Sequence, residues 1–385
     1  MDLQKIPVFE EDMERLCAIP LLAELCGKTV LVTGATGLIG QTLVSALLRY
    51  RKPAGMDAGV SRDTQDADTQ DKDVQVEAEQ AADDRIRVIA CVRDEKKARR
   101  MFGGIDAGNL DLLVADITAL PAEKLVQRVD YMIHAASQTS SKAFIDQPVE
   151  TIFTAVDGTR RALEFARVNK VRAFLYLSTM EVYGTPADDH KIDEKHGTNL
   201  DTMQPRSCYP ESKRLCEMLC TSWQKEYGVP VRVMRLTQTF GPGVRYDDGR
   251  VFAEFARCAL EGRDIVLKTA GLTCRNYLYT ADAVSAMLTV LLRGGDGEAY
   301  NAANEATYCS IRQMAELVAE ECAGGRIGVR IEAEGDPSSL GYAPTLHMNL
   351  DTTKLQALGW QPVCGLGEAY RRMMAAMKLQ RQAVS

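Results

Sequence analysis

Thr29-Val30-Leu31-Val32-Thr33-Gly34-Ala35-Thr36-Gly37-Leu38-Ile39-Gly40 runs directly into Gln41 to Tyr50, and this stretch decides the fold. Five β-branched and apolar residues predict a short, buried strand. Three glycines at three-residue spacing predict a tight turn, and Gln41 to Tyr50 carries its apolar residues at helical spacing. Strand, turn and helix in this order bring unpaired backbone amides and the positive end of a helix dipole to one point, a place suited to a pyrophosphate. The spacing is Gly-x-x-Gly-x-x-Gly, whereas the commonest dinucleotide fingerprint is Gly-x-Gly-x-x-Gly. The strand-to-helix context carries the reading; a three-glycine turn alone would not.

Outward from this point the pattern repeats. Short apolar runs at Arg87 to Val92, Leu110 to Val114, Tyr131 to His134, Ala173 to Ser178 and Val231 to Arg235 alternate with amphipathic helices. That alternation predicts an α/β fold with a Rossmann-like, doubly wound parallel sheet. Residues 1–27 read as a helical leader, with Met13, Leu16, Ile19 and Leu22 at helical spacing and Pro20 interrupting it, expected to pack on the sheet edge. Residues 28–240 form the expected dinucleotide-binding domain. Within them, 53–84 is rich in Asp, Gln, Ala and Gly and poor in large apolar residues, the composition of a mobile surface insertion. After Phe240 the alternation loosens into helices at Arg250 to Glu261 and Ser310 to Glu321, which predicts a smaller C-terminal substrate-binding lobe over 241–385.

The chain has 385 residues, 46% of them hydrophobic, enough for a substantial core. Its net charge of −7 argues against a nucleic-acid partner, which would call for a basic face. Eleven cysteines are scattered without any Cys-x-x-Cys pair, and Cys216 and Cys220 are merely one helical turn apart, so they read as reduced thiols. The start of the chain carries Glu10-Glu11-Asp12 with no basic-then-apolar order, and no apolar run is long enough to span a bilayer. A cytoplasmic protein with no membrane partner is expected. His190 and His196 fall in a polar stretch and His347 stands alone, so no metal is expected either.

Chemistry concentrates after the fifth predicted strand. Tyr209 and Lys213 form Tyr-x-x-x-Lys at the start of a helix beginning near Pro210, one turn apart on one face. A free phenol titrates near ~10, and an ammonium beside it would favour the phenolate and make Tyr209 a base. Leu177-Ser178-Thr179-Met180-Glu181-Val182-Tyr183-Gly184 ends the strand where doubly wound enzymes collect their chemistry. Thr179 there is able to bond the hydroxyl that Tyr209 deprotonates, and Glu181 to move a proton nearby.

These segments together resemble a known family. The glycine turn, Asp116-Ile117 and His134-Ala135-Ala136-Ser137 are similar to the cofactor loops of the extended short-chain dehydrogenases/reductases. Ser178-Thr179-Met180-Glu181-Val182-Tyr183-Gly184 with Arg206-Ser207-Cys208-Tyr209-Pro210-Glu211-Ser212-Lys213-Arg214 resembles the UDP-glucuronate decarboxylase branch of the NAD-dependent epimerase/dehydratase family. Asp247-Asp248-Gly249-Arg250-Val251, Cys274-Arg275-Asn276-Tyr277 and Tyr300-Asn301 resemble that branch's substrate lobe. The resemblance implies that Gly34, Thr36, Gly37, Leu38, Ile39, Arg93, Asp116, Ile117, Ala135, Ala136 and Ser137 hold a nicotinamide cofactor, with Tyr209 and Lys213 at its reactive end. It implies catalytic roles for Thr179, Glu181, Tyr209 and Lys213, and substrate contacts from Ser137, Gln238, Arg250 and Arg275.

It also implies a nucleotide-diphosphate sugar as substrate and a homodimer formed by the helices Val149 to Val168 and Tyr209 to Tyr227. The implied cycle oxidises C4 of the sugar, releases carbon dioxide from a hexuronate, reprotonates C5 with help from Glu181 and reduces C4 again. The second strand ends in Cys91-Val92-Arg93-Asp94, where Asp94 suits the ribose hydroxyls of NAD and Arg93 suits the 2′-phosphate of NADP. NAD is the expected cofactor because the cycle regenerates it. Dehydratases of the family carry Asp where this chain has Met180, so decarboxylation is favoured over 4,6-dehydration or epimerisation. The chain departs from the branch at Gln238 and Ala155, where Asn is common, and at Met180, where decarboxylases have Ser. An NADPH-dependent reductase and a non-catalytic cofactor-binding scaffold are the expectations of other classes.

Overall fold

Val30 and Val32 face one apolar core and Leu31 faces another, so all five residues of Thr29–Thr33 are buried. A strand covered on both faces needs helices on both, the arrangement of a doubly wound sheet. The computed structural model describes residues 3–53, 84–121, 128–139, 141–186, 188–332 and 345–382. Of the insertion expected at 53–84, residues 54–83 lie outside the described residues.

The elements follow the chain as α1 (Pro7–Cys17), β1 (Thr29–Thr33), α2 (Leu38–Arg49), β2 (Arg87–Val92), α3 (Glu95–Phe102), β3 (Leu110–Val114), β4 (Tyr131–His134), α4 (Ser141–Asp146), α5 (Pro148–Val168), β5 (Ala173–Thr179), α6 (Cys208–Tyr227) and β6 (Val231–Leu236). There follow β7 (Gln238–Phe240), α7 (Val251–Glu261), β8 (Ile265–Leu267), β9 (Cys274–Tyr279), α8 (Thr280–Arg293), β10 (Glu298–Ala302), β11 (Asn304–Ser310), α9 (Ile311–Leu317), β12 (Val329–Ile331), β13 (His347–Met348), α10 (Thr353–Gln356) and α11 (Leu366–Gln382). The main sheet has seven parallel strands in the order β10-β6-β5-β4-β1-β2-β3. From β1 the chain builds outward to β3, then crosses back to lay β4 on the other side of β1. That reversal opens a crevice at the carboxyl ends of β1 and β4.

Alternate strand residues sort the two cores. Val30, Val32, Val88, Ala90 and Leu175 meet α2 and α8 through Leu43, Leu47, Val284 and Met287. Leu31, Ile89, Met132, Phe174 and Tyr176 meet α5 and α6 through Leu163, Phe165, Cys216 and Cys220. All six strands read from the sequence are present, β5 and β6 each one residue longer than expected. The seventh was not foreseen: Glu298–Ala302 lies within 241–385 yet returns to pair with β6. A smaller sheet surrounds β9, which pairs antiparallel with β11 and parallel with β7 and β13. The helix expected over Ser310 to Glu321 is shorter, because a π-helical turn at Val318–Cys322 takes over after Leu317.

The leader does form a helix, but it does not sit on the sheet edge. α1 packs on the helical layer, against α2, α8 and α11. The reason is electrostatic as well as apolar: Asp12, 1% exposed, accepts hydrogen bonds from the Tyr279 hydroxyl and, at 3.0 Å, from Arg372 Nη2. Arg372 also donates to the Val8 carbonyl at 2.7 Å and to Glu11 at 2.8 Å, tying the leader to the last helix. Replacing Arg372 by leucine takes from the buried Asp12 carboxylate its buried cation, leaving it the Tyr279 hydroxyl and the more exposed Arg15 at 3.1 Å, and a loss of about 3 kcal/mol of unfolding free energy is expected in urea denaturation. Replacing Asp12 and Arg372 together by leucine should cost less; an equal or larger loss would mean that the pair contributes through packing alone.

Candidate active site

Gly34 leaves β1 with φ +68°, and a Cβ there would meet the Ala135 and Ala136 backbone at 2.8 Å. A Cβ on Gly40 would lie 2.2 Å from the Gly34 carbonyl oxygen. The glycines therefore let the turn close on itself and on the loop after β4, while Gly37 caps α2 and Leu38 and Ile39 open it. Thr33 Oγ1 is bonded to His134 Nδ1 at 2.8 Å and accepts from the Ala136 amide at 3.2 Å. Burial, with the Lys213 charge adding to it, holds His134 down at about 3, so the imidazole is neutral.

The result is a cleft of ≈ 820 Å³ along the carboxyl ends of the sheet. Every expected cofactor residue lines it: Gly34, Thr36, Gly37, Leu38 and Ile39 from the turn, Arg93 after β2, Asp116 and Ile117 after β3, Ala135, Ala136 and Ser137 after β4, and Tyr209 and Lys213 from α6. At the β2 end the carboxylate of Asp94 is occupied as the cap of α3, accepting from Lys97 N at 2.9 Å. Asp94 does not line the cleft, whereas Arg93 and Lys97 do, with Lys97 Nζ donating to the Thr36 carbonyl at 3.2 Å. Asp116 accepts from the Thr118 amide and hydroxyl, bonds that hold its carboxyl below the usual range. Arg93 lies 4.0 Å from it.

At the other end Thr179, Glu181, Tyr209 and Lys213 converge from β5 and α6, all of them lining the cleft. Burial pushes the Tyr209 phenol well above its ordinary range and the Glu181 charge adds to this, while the Thr179 hydroxyl and the Arg206 charge oppose it. The expectation that Lys213 depresses this phenol is not met. Its ammonium donates to the Leu177 carbonyl at 2.7 Å, over the Tyr176 ring, and sits 6.0 Å from the Tyr209 ring centre. Burial in turn lowers Lys213 to about 8. Glu217, one turn beyond Lys213, accepts from Ser178 Oγ at 2.5 Å and pairs with Arg235 at 2.6 Å, bracing the end of β5 against α6.

Sequence reasoning assigned no role to two neighbours of this group. Arg206 donates to Glu181 at 3.1 Å and lies 5.0 Å over the Phe144 ring, and Phe144 stacks on Tyr209 at 4.3 Å and 11°. Arg206 falls inside the quoted motif and was open to discovery; Phe144 belongs to no motif. Among the expected substrate contacts, Ser137, Gln238 and Arg250 line the cleft. The Arg250 guanidinium is paired with Asp248, donating from Nε at 2.9 Å and from Nη2 at 2.6 Å. Arg275 does not line the cleft. Strand periodicity puts it on the face of β9 that carries Tyr277 and Tyr279 into the core, and its Nε is buried with no hydrogen-bond partner.

Residues 30–303 match the model of the NAD dependent epimerase/dehydratase family. The chain is 33% identical over 267 residues to UDP-glucuronic acid decarboxylase 1 of Xenopus tropicalis, a match covering 69% of this chain and 59% of that protein. It is 31% identical over 270 residues to UDP-glucuronic acid decarboxylase 5 of Arabidopsis thaliana, covering 70% and 75%. Its fold is that of a dTDP-glucose 4,6-dehydratase from Streptomyces venezuelae solved with NAD bound, at a TM-score of 0.69 and 22% identity over 92% of this chain and 98% of that one.

Because the Glu181 charge holds the Tyr209 proton on, Glu181→Gln should lower the Tyr209 pKa. Tyrosine ring-carbon NMR across a pH titration, with Tyr209→Phe assigning the signal, reads this directly. An unchanged or higher value would show that the two groups do not sense each other.

Proposed function

The chain belongs to the NAD-dependent epimerase/dehydratase family, and within it we propose that it decarboxylates a nucleotide hexuronate of the UDP-glucuronate kind through a 4-keto sugar. The observation that carries this reading is the joining of a dinucleotide-shaped cleft to Thr179, Glu181 and Tyr209 at one end. The residues present fit a dinucleotide. The start of α2 supplies unpaired amides for a pyrophosphate, and the glycines keep that approach free of side chains. NAD, when bound, would take a hydride from C4 of the sugar and return it at the end of the turnover.

The chain's own groups manage protons. Tyr209 Oη accepts the C4 hydroxyl proton and Thr179 orients that hydroxyl. A phenol raised by burial needs a positive charge nearby to ionise, and Lys213, now bonded to the Leu177 carbonyl 6.0 Å from the Tyr209 ring centre, would have to turn toward the phenol to provide it. Once C4 is a carbonyl, the C6 carboxylate stands β to it. Carbon dioxide departs with cleavage of the C5–C6 bond, leaving the electron pair spread over C5 and O4. Glu181, oriented by Arg206, helps return a proton to C5, and Tyr209 returns its proton to O4. Met180 supports decarboxylation over dehydration: it is 3% exposed, its sulfur accepts from Thr237 Oγ1 at 3.3 Å, and a thioether has no proton for a departing hydroxyl.

A second reading, an NADPH-dependent reductase, draws on one observation: Arg93 and Lys97 line the β2 end while Asp94 is spent on a helix cap. A 2′-phosphate suits that pair of cations. We also propose a cytoplasmic location, since the scattered cysteines, without any Cys-x-x-Cys pair, read as reduced thiols; no helix among the described residues is long and apolar enough to cross a membrane. The homodimer reading draws on Val149, Phe153, Leu215 and Met218, which expose 64%, 58%, 48% and 63% of their surface on α5 and α6. A light-scattering mass of two chains is expected, and a single-chain mass would refute it.

Purified protein without added cofactor, given a panel of nucleotide hexoses and hexuronates, should release carbon dioxide only from a hexuronate. Tyr209→Phe should abolish turnover with the fold intact, and Glu181→Gln should slow it by roughly 10²–10⁴-fold. Loss of water instead would overturn the reading of Met180. Turnover that begins only when NADPH is supplied and consumed would favour the reductase.

A further inference from the structure

His347 stands alone in the sequence but not in the fold. β13 pairs with β9 so that His347 and Cys274 are direct cross-strand partners, which places both side chains on one face of the smaller sheet. The segment that follows the Glu181 turn is pinned across them by two bonds, from the His347 amide to the Pro186 carbonyl at 3.0 Å and from Asn349 Nδ2 to the Asp189 carbonyl at 3.0 Å. Those bonds bring the Asp189 carboxylate to His347 Nδ1 at 2.8 Å. The donor atoms of Asp189, Cys274 and His347 all lie within 4.8 Å of one another. Tyr308, on β11 at the other edge of β9, adds a hydroxyl bonded to Asp189.

We propose that Asp189, Cys274 and His347 form a binding site for a divalent cation of borderline softness, zinc above all. One thiolate, one imidazole and one carboxylate are a donor set that zinc accepts, whereas magnesium and calcium require oxygen. Zinc bonds of about 2.0–2.3 Å to N, O and S in a tetrahedron set the donors roughly 3.3–3.8 Å apart, so donors as far as 4.8 Å from one another close by about 1–1.5 Å, and His347 Nδ1 and the Asp189 oxygen, 2.8 Å apart, open by about 0.5 Å. The fourth position falls to Tyr308 Oη or a water. Binding exchanges the Cys274 thiol proton for the metal and releases it to solvent, and frees the Asp189 oxygen from His347 for the cation.

None of the four residues lines the catalytic cleft, so the cation is structural. It ties the stretch around Asp189, inside the loop that the Gly184–Asn199 bridge closes, to the smaller sheet, and so steadies the turn just before it from which Glu181 projects. Asp189 is two-thirds exposed and His347 about one-quarter, which leaves an entry path.

The test uses the full chain stripped with a chelator and titrated with zinc chloride by calorimetry, and with cobalt(II) as a spectroscopic probe. One equivalent of zinc per chain is expected, with a thiolate-to-cobalt charge-transfer band and a rise in melting temperature that follows zinc concentration. Cys274→Ser should remove the band, and His347→Ala should weaken zinc binding by at least about tenfold. Asp189→Asn alters an exposed side chain that cannot disturb the core, and it too should weaken binding with the circular dichroism spectrum unchanged. Absence of stoichiometric binding, binding that Asp189→Asn and His347→Ala leave unaltered, or a cobalt band that survives Cys274→Ser would overturn the site. Neither catalytic assay enters the test, so its failure leaves the proposed reaction untouched.

Discussion

The bond between Thr33 and His134 joins the carboxyl ends of β1 and β4, the two strands between which the sheet reverses its direction of growth. Both residues are buried, and a buried polar pair is costly unless each partner is satisfied. His134 is satisfied on both ring nitrogens, the second by Thr159 of α5 at 3.3 Å. Thr33 also accepts from the Ala136 amide, so one side chain sets the distance between the glycine turn and the loop after β4. The close approach of Gly34 to Ala135 follows from that distance, and it leaves no room for a Cβ. The crevice exists because these two strand ends are held together while their outgoing chains are sent to opposite sides.

The reacting end of the cleft is governed by a different balance. Burial works against both members of the Tyr209 and Lys213 pair, raising the phenol and lowering the ammonium to about 8. Two buried groups that each resist their charged form leave the phenol protonated at rest, and a further positive charge entering the cleft favours its ionisation. The surrounding scaffold is built to hold position: Glu217 links Ser178, Arg235 and, through α6, the turn bearing Lys213, while Arg235 also donates to the Tyr183 hydroxyl at 2.9 Å. Tyr183 in turn donates to Asn301 on β10 at 2.7 Å. The strand that sequence patterning missed is thus the outer wall against which the catalytic turn is fixed.

What was legible in the chain and what was not divides along physical lines. Continuous apolar runs and helical spacing are local, so the first six strands and the turn at Gly34 to Gly40 could be read directly. Whether Glu298–Ala302 joins the large sheet or the small one depends on pairing with β6 across more than sixty intervening residues, which no local pattern encodes. The same holds for the site. Thr179, Glu181, Tyr209 and Lys213 come from two contiguous motifs and were identifiable, whereas the stacking of Phe144 on Tyr209 and the commitment of Arg250 to Asp248 are tertiary facts. Lys213 shows how spacing misleads: one helical turn from Tyr209 brings the two onto one face but does not aim the ammonium, and the Leu177 carbonyl claims it. His347 stands alone in the sequence for the converse reason, since its spatial neighbours Cys274 and Asp189 lie far away in the chain.

The central claim is that hydrogen leaves C4 of a nucleotide hexuronate and returns to the same carbon, while C5 receives a proton from solvent. A nucleotide hexuronate deuterated at C4 and turned over in ordinary water, with the product examined by mass spectrometry and NMR, tests this in one measurement. The account predicts a nucleotide pentose that keeps its C4 deuterium and carries a new C5 hydrogen drawn from solvent. Loss of the C4 label to water or to an external cofactor pool, or a product that retains C6, would contradict it.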